Sequence, residues 1–496
     1  MTDERAPWLW ALVSCLLCVG VCQGALDGIP HVTDEVVYTL QARLFAHGMR
    51  TGPPADVSSM MTYPFWVTGP ESRAAFPVGW PLLLAVGERL RLAWMVNPIL
   101  AGLSVVLTYR VGRPLVGARA ALLGCIVVAV CPALVLLGAS RMSHTSVLVG
   151  LLLGTWALVD PGSWKRWLVG GLGIAYTVLA RPFDALLLGG VLLGLGAVRL
   201  LRAGRWQVLW AWGAPAAMAA AAVLVDNAWV QGDPWLFPAD AFYADWVPER
   251  PGCNRLGFGA DVGCVAIDGS FGHSVEDALG QALDRALLLD RLLVGVPLVG
   301  GLAVCAAVWK RPLLLLPLGL VAGGHLLYWS PGLAYGPRFW ALGIPGLALA
   351  LGVFPGRNVG RWFPWACVVA ACIGIGRIWP DLSDRYWCVD GRLSEYVQQR
   401  PEERGILLVR ATGNRATGWP RLGVERFTCD PMLEFGDALV FWDPVDGAWQ
   451  PRHALSDPSQ TALYRRQFGA GRPAFRVVHD VTADEREVFV LPALRP

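Results

Sequence analysis

The sequence predicts an all-α polytopic membrane protein of roughly eleven spanning helices with a small soluble α/β domain at its C-terminal end. Composition is the first observation: 55% of the 496 residues are hydrophobic and 16% are charged, where soluble chains carry about 25% charged residues. The second is local. Trp8 to Ala25, Leu292 to Val308 and Phe339 to Phe354 hold no charged residue, and about 20 mainly apolar residues cross the hydrocarbon as a helix. In lipid each backbone polar group must be satisfied within its own segment, and the alternation of barrel strands is missing, so the spans are helical. The third is the placement of basic residues, which orients the whole chain.

Taken in order, the spans fall at 8–26, 92–110, 118–137, 142–159, 165–180, 182–200, 206–229, 289–308, 312–330, 337–355 and 361–379. The first is an uncleaved helix. Cys15 could end a lipoprotein signal, but Arg5 stands beside Asp3 and Glu4, which is not a positively charged signal start. Arg110, Arg113 and Arg119 mark one short loop, then Lys165 and Arg166, then Arg199, Arg202 and Arg205, then Lys310 and Arg311, then Arg357 and Arg361. All these loops fall on the side of the N-terminus, which the positive-inside rule makes cytoplasmic. The expected location is a bacterial inner membrane, with the C-terminal domain outside.

The opposite side receives loops at about 27–91 and 231–288 and the tail from about 380. The transmembrane domain is thus 1–380 and the extracytoplasmic domain 381–496. In the tail, Leu393–Gln399 reads as helix and Ile406–Val409, Ala438–Trp442 and Val488–Leu491 as strands. Phe76–Leu90, with Pro77 and Pro81, reads as a short helix at or dipping into the interface.

Within the first outer loop, Thr33 is an N-cap candidate and Asp34 and Glu35 lie in the first turn of an amphipathic helix at the membrane surface. Asp34, Tyr38 and Gln41 share one face; Val36, Leu40 and Leu44 share another. Acids at a helix start complement its dipole, worth about 0.3–1 kcal/mol, so this segment alone does not mark a site. The topology adds company on the same membrane face. Arg141, Ser143 and His144 open the fourth span, and Arg181-Pro182 with Asp184 separates the fifth and sixth. Asp226-Asn227 closes the seventh before Gly232-Asp233-Pro234, and Tyr335-Gly336-Pro337-Arg338 opens the tenth. One such residue is explained by snorkelling or capping; a set on one face points to a site, since charge at membrane depth is costly.

Arg181 and Arg338 suit a phosphate, which a guanidinium holds through paired hydrogen bonds. Asp34 suits a general base, with Tyr38, Gln41, Ser143, His144 and Tyr335 lining the pocket. His273, in the second outer loop, either reaches that pocket or sits as a surface-loop histidine. A base, cationic phosphate binders and an apolar groove are compatible with glycosyl transfer from a lipid-phosphate sugar.

Five segments, Asp34-Glu35…Tyr38…Gln41-Ala42…Gly48, Phe76-Pro77-Val78-Gly79-Trp80-Pro81, Arg181-Pro182, Gly232-Asp233-Pro234 and Tyr335-Gly336-Pro337-Arg338-Phe339, together resemble the GT-C superfamily of membrane glycosyltransferases. That class includes protein O-mannosyltransferases and the aminoarabinose transferases of lipid A. The likeness covers about residues 8–380; Pro77-Val78-Gly79 departs from the common Pro-Pro-Gly. It implies a polyprenyl-phosphate sugar donor, inversion at the anomeric carbon and a catalytic acid at Asp34, with Glu35 as helper or replacement. Neither the acceptor, whether glycan, lipid or protein, nor any cofactor is implied, though a divalent metal is possible.

A net charge of +3 does not suit nucleic acid. Eight cysteines (Cys15, Cys18, Cys22, Cys125, Cys131, Cys305, Cys367, Cys372) lie in apolar segments; Cys253, Cys264, Cys388 and Cys429 lie in polar ones and permit one or two disulfides of open pairing. No Walker loop or His-Glu-x-x-His helix is present. The rival reading is a transporter or flippase of a lipid-linked anion, but transporters usually show repeated halves with binding at mid-membrane, and no repeat is visible here.

Overall fold

The computed structural model describes residues 4–52, 64–67, 73–265, 271–354, 362–383 and 386, and strand segments between 406 and 491. It is mostly helical. The described helices are α1 (Ala6–Gly24), α2 (Thr33–Ala46), α3 (Gly79–Arg89), α4 (Ala93–Val116), α5 (Ala118–Val130), α6 (Pro132–Ala139), α7 (His144–Val159) and α8 (Trp164–Ala180). They continue with α9 (Pro182–Arg202), α10 (Trp206–Gln231), α11 (Pro238–Trp246), α12 (Val275–Leu293), α13 (Val299–Lys310), α14 (Leu316–Leu326), α15 (Ile344–Val353) and α16 (Phe363–Ser383). Five of them, α1, α4, α9, α10 and α16, are long and apolar enough to cross a membrane. Taking the α5–α6 pair, bent by 52° ahead of Pro132, as one span makes six. The other expected spans coincide with shorter helices, among them α7 of 16 residues and α8 of 17.

Two compact units are present. The larger comprises Met1–Val21, Pro77–Trp80 and Trp94–Arg377. Small residues bring its helices close. A Cβ on Gly150 would stand 2.6 Å from the Gly173 carbonyl oxygen, which seats α7 on α8, and one on Gly352 would stand 2.2 Å from the Ala120 oxygen, which seats α15 on α5. Trp167 and Trp212, edge to face at 5.0 Å, fill a core with Ile174, Leu200 and Ala216 between α8, α9 and α10. Such small-residue seams are how helices approach where lipid offers no hydrophobic drive.

The expected span 289–308 is divided. Helix α12 starts at Val275, inside the segment read as loop, and stops at Leu293; α13 starts at Val299. Gly295 (φ +80°) and Leu298 (φ +72°) make the break. Asp290 bridges it, its carboxylate accepting from the N–H groups of Leu298 and Gly301 (3.0 Å). Hydropathy misses α12 because its first turns carry Glu276, Asp277, Asp284 and Arg285. Ser274 caps it, and its hydroxyl and N–H hold the Asp277 carboxyl below the usual carboxylate range.

In the smaller unit (Cys22–Phe76, Pro81–Ala93 and Ile378–Pro496) α2 is buried almost throughout rather than lying on a surface. Val36, Val37, Leu40 and Leu44 pack with Trp66 and Ala74, partners in the hairpin of β1 (Trp66–Val67) and β2 (Arg73–Ala74). Helix α2 starts at Thr33, so Val32, not Thr33, takes the cap position. Of the tail, β3 (Ile406–Thr412) pairs parallel with β8 (Ala474–Asp480), and β8 antiparallel with β9 (Phe489–Leu491). The pairs β4 (Ala416–Trp419) with β5 (Val424–Thr428) and β6 (Trp442–Asp443) with β7 (Gln450–Pro451) are antiparallel. Leu393–Gln399, Cys388 and Cys429 lie outside the described residues.

Candidate functional site

In the larger unit, three arginines and two histidines from five parts of the chain converge on one ring. Phe339 lies in the 3-10 turn Arg338–Gly343 that follows α14. The guanidinium groups of Arg338, Arg181 and Arg285 stand 5.4, 5.6 and 5.7 Å from its centroid. The imidazoles of His325 (4.6 Å) and His144 (6.1 Å) stack on it. His144 is within electrostatic reach of Arg181, Arg338 and His325. Asp184 pairs with Arg181 and lies 3.9 Å from His325 Nε2. An aromatic face attracts cations, about 0.5–2 kcal/mol each, so Phe339 offsets part of their mutual repulsion.

Local sequence explains how each arrives. Pro182 stops α8 at Ala180 and leaves Arg181 extended (φ −150°, ψ 82°), so its side chain leaves the helix surface. Asp184 opens α9, whose next residues, Ala185–Gly189, form a π-turn; such turns are frequent at functional sites. Arg338 follows a tight reversal in which Tyr335 (φ +57°) and Gly336 (φ +96°) both take left-handed conformations. For tyrosine this is strained, a feature that concentrates at functional sites. Gly332 (φ +61°) lies against Phe339, and a Cβ there would stand 2.2 Å from its ring.

The segment before Phe339 is held by side chains. Arg285, wholly buried on α12, donates from Nε to the Pro331 carbonyl (2.8 Å), from Nη1 to His325 (3.2 Å) and from Nη2 to Ser330 (2.8 Å) and Gln281 Oε1 (3.0 Å). Gln281 Nε2 donates to the Trp329 carbonyl (3.0 Å). Burial pushes the Arg285 guanidinium down to about 10, against the raising effect of Asp284, so it stays charged at physiological pH. Cys253 and Cys264 form a disulfide, with Cα atoms 5.1 Å apart. The loop it closes grips the same segment: the Gly257 N–H donates to the Leu327 carbonyl and Trp329 Nε1 to Asn254 Oδ1.

Other expected residues have structural engagements. His273 is not on the surface: its buried imidazole meets the Leu326 carbonyl at 2.9 Å, and its backbone bridges Gly259. Tyr335 forms the strained reversal. Gly232 (φ +75°) ends α10, and Asp233 accepts from the Trp235 N–H, so Gly-Asp-Pro is a helix stop with a turn. Trp80, wholly buried, donates to the Arg141 carbonyl, and Gly79 fits where a Cβ would stand 2.6 Å from Leu179 backbone. Ser143 is wholly buried at the cap of α7.

In the smaller unit, Glu35 turns back to accept from the N–H groups of His31 (3.0 Å) and Val32 (3.1 Å), closing the helix end that apolar Val32 cannot cap. Asp34, beside it, is 8% exposed. Tyr38 packs on Phe76 at 4.8 Å, and the Gln41 amide ties the Arg50 carbonyl to the Ala74 N–H.

An apolar cavity lies one step deeper than the cationic cluster. Its wall includes Leu148, Leu188 and Leu342, each four residues beyond His144, Asp184 and Arg338, together with Leu192, Leu320 and Leu349. Charged groups therefore give way to leucine within about one helical turn, some 5 Å. Among the described residues no group of three His, Cys, Asp or Glu is placed to hold a metal ion.

No family model and no curated protein matches the chain. Among solved structures it is similar to the apo oligosaccharyltransferase of Archaeoglobus fulgidus (12% identity, TM-score 0.40), over 81% of this chain and 59% of that one. It is also similar to ArnT from Cupriavidus metallidurans in the apo state (14%, 0.39; 95% and 92% of the chains). With ArnT bound to undecaprenyl phosphate the values are 14% and 0.31, over 95% and 93%. The chain spans little more than half the length of the oligosaccharyltransferase.

Proposed function

We propose that the protein is a membrane glycosyltransferase that moves a sugar from a polyprenyl-phosphate donor to an acceptor on the extracytoplasmic side, with inversion. The observation that carries this reading is the gathering of Arg181, Arg338 and His144 about Phe339, beside a leucine-lined cavity. A cationic pocket next to an apolar one suits a phosphate on a lipid chain. Eleven spans, a cytoplasmic N-terminus and an outer C-terminal domain from about residue 381 belong to the same proposal and rest on the basic loops.

Arg181 and Arg338 hold the donor phosphate and stabilise the charge it gains as the glycosidic bond breaks. Asp34 is the base that removes the acceptor proton, so one C–O bond forms at the anomeric carbon as the other breaks and the lipid phosphate leaves. Glu35, which accepts two backbone N–H groups at the start of α2, is the helper or the replacement base.

The test is sugar release from a panel of synthetic polyprenyl-phosphate sugars, with purified protein in nanodiscs. Wild type is expected to turn over one or more donors, and Asp34→Asn to fall by at least about a thousandfold. Wild-type rates in the mutant would remove Asp34 from its role. Binding without turnover of any donor would favour the transporter.

A further inference from the structure

The amino end of α7 is buried and open. Ser143, His144, Thr145 and Ser146 are each 2% exposed or less, four consecutive polar residues at the start of an otherwise apolar helix. A helix leaves its first N–H groups outside its own ladder. Here that ladder starts with the Val147 N–H donating to the Ser143 carbonyl, and no side chain caps the end, because Ser143 is itself helical (φ −71°, ψ −13°). The Ser146 hydroxyl turns back to the Ser143 carbonyl (2.6 Å). Two independent features point to a ligand. Both ring nitrogens of His144 and the hydroxyl of Thr145 are buried without a hydrogen-bond partner among the described residues. A neutral imidazole always presents one donor and one acceptor, and buried polar groups are nearly always satisfied.

We propose that the amino end of α7 is a phosphate seat, in which the N–H groups of His144, Thr145 and Ser146, with the Thr145 hydroxyl and the His144 imidazole, receive the oxyanion that Arg181 and Arg338 neutralise. Helix amino ends suit anions by their exposed N–H groups and their dipole. Successive donors around one turn match a tetrahedral oxyanion with several free oxygens better than a planar carboxylate. The cavity wall at Leu148, one turn along α7, places apolar space next to this end, which suits a phosphate carried on a lipid. Arg285 is not part of the seat, since its donors already serve carbonyls and Gln281. The proposal rests on the phosphate-binding reading above and adds its location.

The test is calorimetric binding of farnesyl phosphate, farnesol and inorganic phosphate to the full chain in phosphatidylcholine nanodiscs. Wild type should bind farnesyl phosphate and bind farnesol at least about tenfold more weakly. Thr145→Val and His144→Phe, which keep side-chain volume, should each weaken farnesyl phosphate about tenfold, as expected for a lost hydrogen bond to a charged group, and leave farnesol unchanged. Competition by inorganic phosphate would show that the oxyanion alone suffices; lack of competition, with the variants still weakened, would assign the seat to a lipid-borne phosphate. Both outcomes support the seat. If both variants bind within twofold of wild type while Arg181→Gln does not, the seat is wrong and the arginine reading stands. If wild type binds neither phosphate probe, both fall. Should either variant misfold, hydrogen exchange in wild type decides: farnesyl phosphate must slow the amides of residues 144–146, and unchanged exchange there overturns the proposal.

Discussion

Replacing Arg285 by methionine tests whether the approach to Phe339 is held by side chains. The substitution keeps much of the volume and removes a charge whose burial is unfavourable; the drop from 12.5 to about 10 corresponds to about 3 kcal/mol of relief on uncharging. Against this stand the carbonyls of His325, Ser330 and Pro331 and the Gln281 side-chain oxygen, which lose their common donor. Four groups left unsatisfied at about 1–3 kcal/mol each outweigh that relief, so a net loss of at least about 1 kcal/mol is expected. Intrinsic tryptophan fluorescence on heating, in nanodiscs, should show a melting temperature lower by several degrees. Hydrogen exchange should speed up at residues 327–333. Arg285→Lys should behave like methionine, because an ammonium keeps the charge without the guanidinium fork. A methionine variant that melts with wild type and exchanges normally at 327–333 would refute the clamp.

Gly332→Ala places a carbon 2.2 Å from the Phe339 ring in a left-handed residue, and should cost about 1–3 kcal/mol in thermal stability and weaken polyprenyl-phosphate binding. Glu35→Ala should cost about 1 kcal/mol through the opened start of α2 and keep transfer, whereas Asp34→Asn should still fold and fail in transfer; calorimetry beside the donor assay separates the two. Cys253→Ser, which opens a disulfide of sequence separation 11, should cost about 3 kcal/mol on loop entropy, and dithiothreitol should give the same melting shift in wild type. Because Asp277 is held below its ordinary 3.8, its capping contribution is complete above pH 3.8 and lost as pH falls through the lowered value. Acid melting curves should show that loss in wild type and a smaller one in Ser274→Ala, which keeps the Ser274 N–H bond to the carboxylate.

The candidate arginines were legible because Arg181-Pro182 and Gly336-Pro337-Arg338 stand at the ends of apolar runs on the same predicted side. What pattern could not supply is which side chains are already engaged. Arg285 is the main omission. It occupies the centre of a face whose other members, Ala278, Gln281, Leu288 and Leu292, recur at helical spacing and are buried. A charged residue on such a face is a signal for an internal clamp, but the acids of α12 lower its hydropathy, so the segment reads as loop. Gly-Asp-Pro, a motif of the resemblance, serves locally as a helix stop with a turn, which sequence order alone does not reveal. His273 is not the surface-loop histidine of one reading, because its burial depends on Gly259 and Leu326, distant in sequence.

Burial also decides between snorkelling and site. Snorkelling requires the polar head to reach water, yet Arg285, Asp184, His325 and His144 are each 2% exposed or less. For Arg285 the demand of burial is met in full by carbonyls and Gln281, so its charge is structural. His325 gives its Nδ1–H to the Val321 carbonyl (2.8 Å) and turns Nε2 toward Asp184, which pairs with Arg181; these three account for one another in part. His144 and Thr145 have no such accounting among the described residues. If they served folding alone, phenylalanine and valine of similar volume would fill the same space and remove unsatisfied polar atoms, which should stabilise the protein. A higher melting temperature is thus expected of both variants whatever the role, and the about tenfold weakening of farnesyl phosphate binding is the part that a ligand seat predicts and a packing role does not.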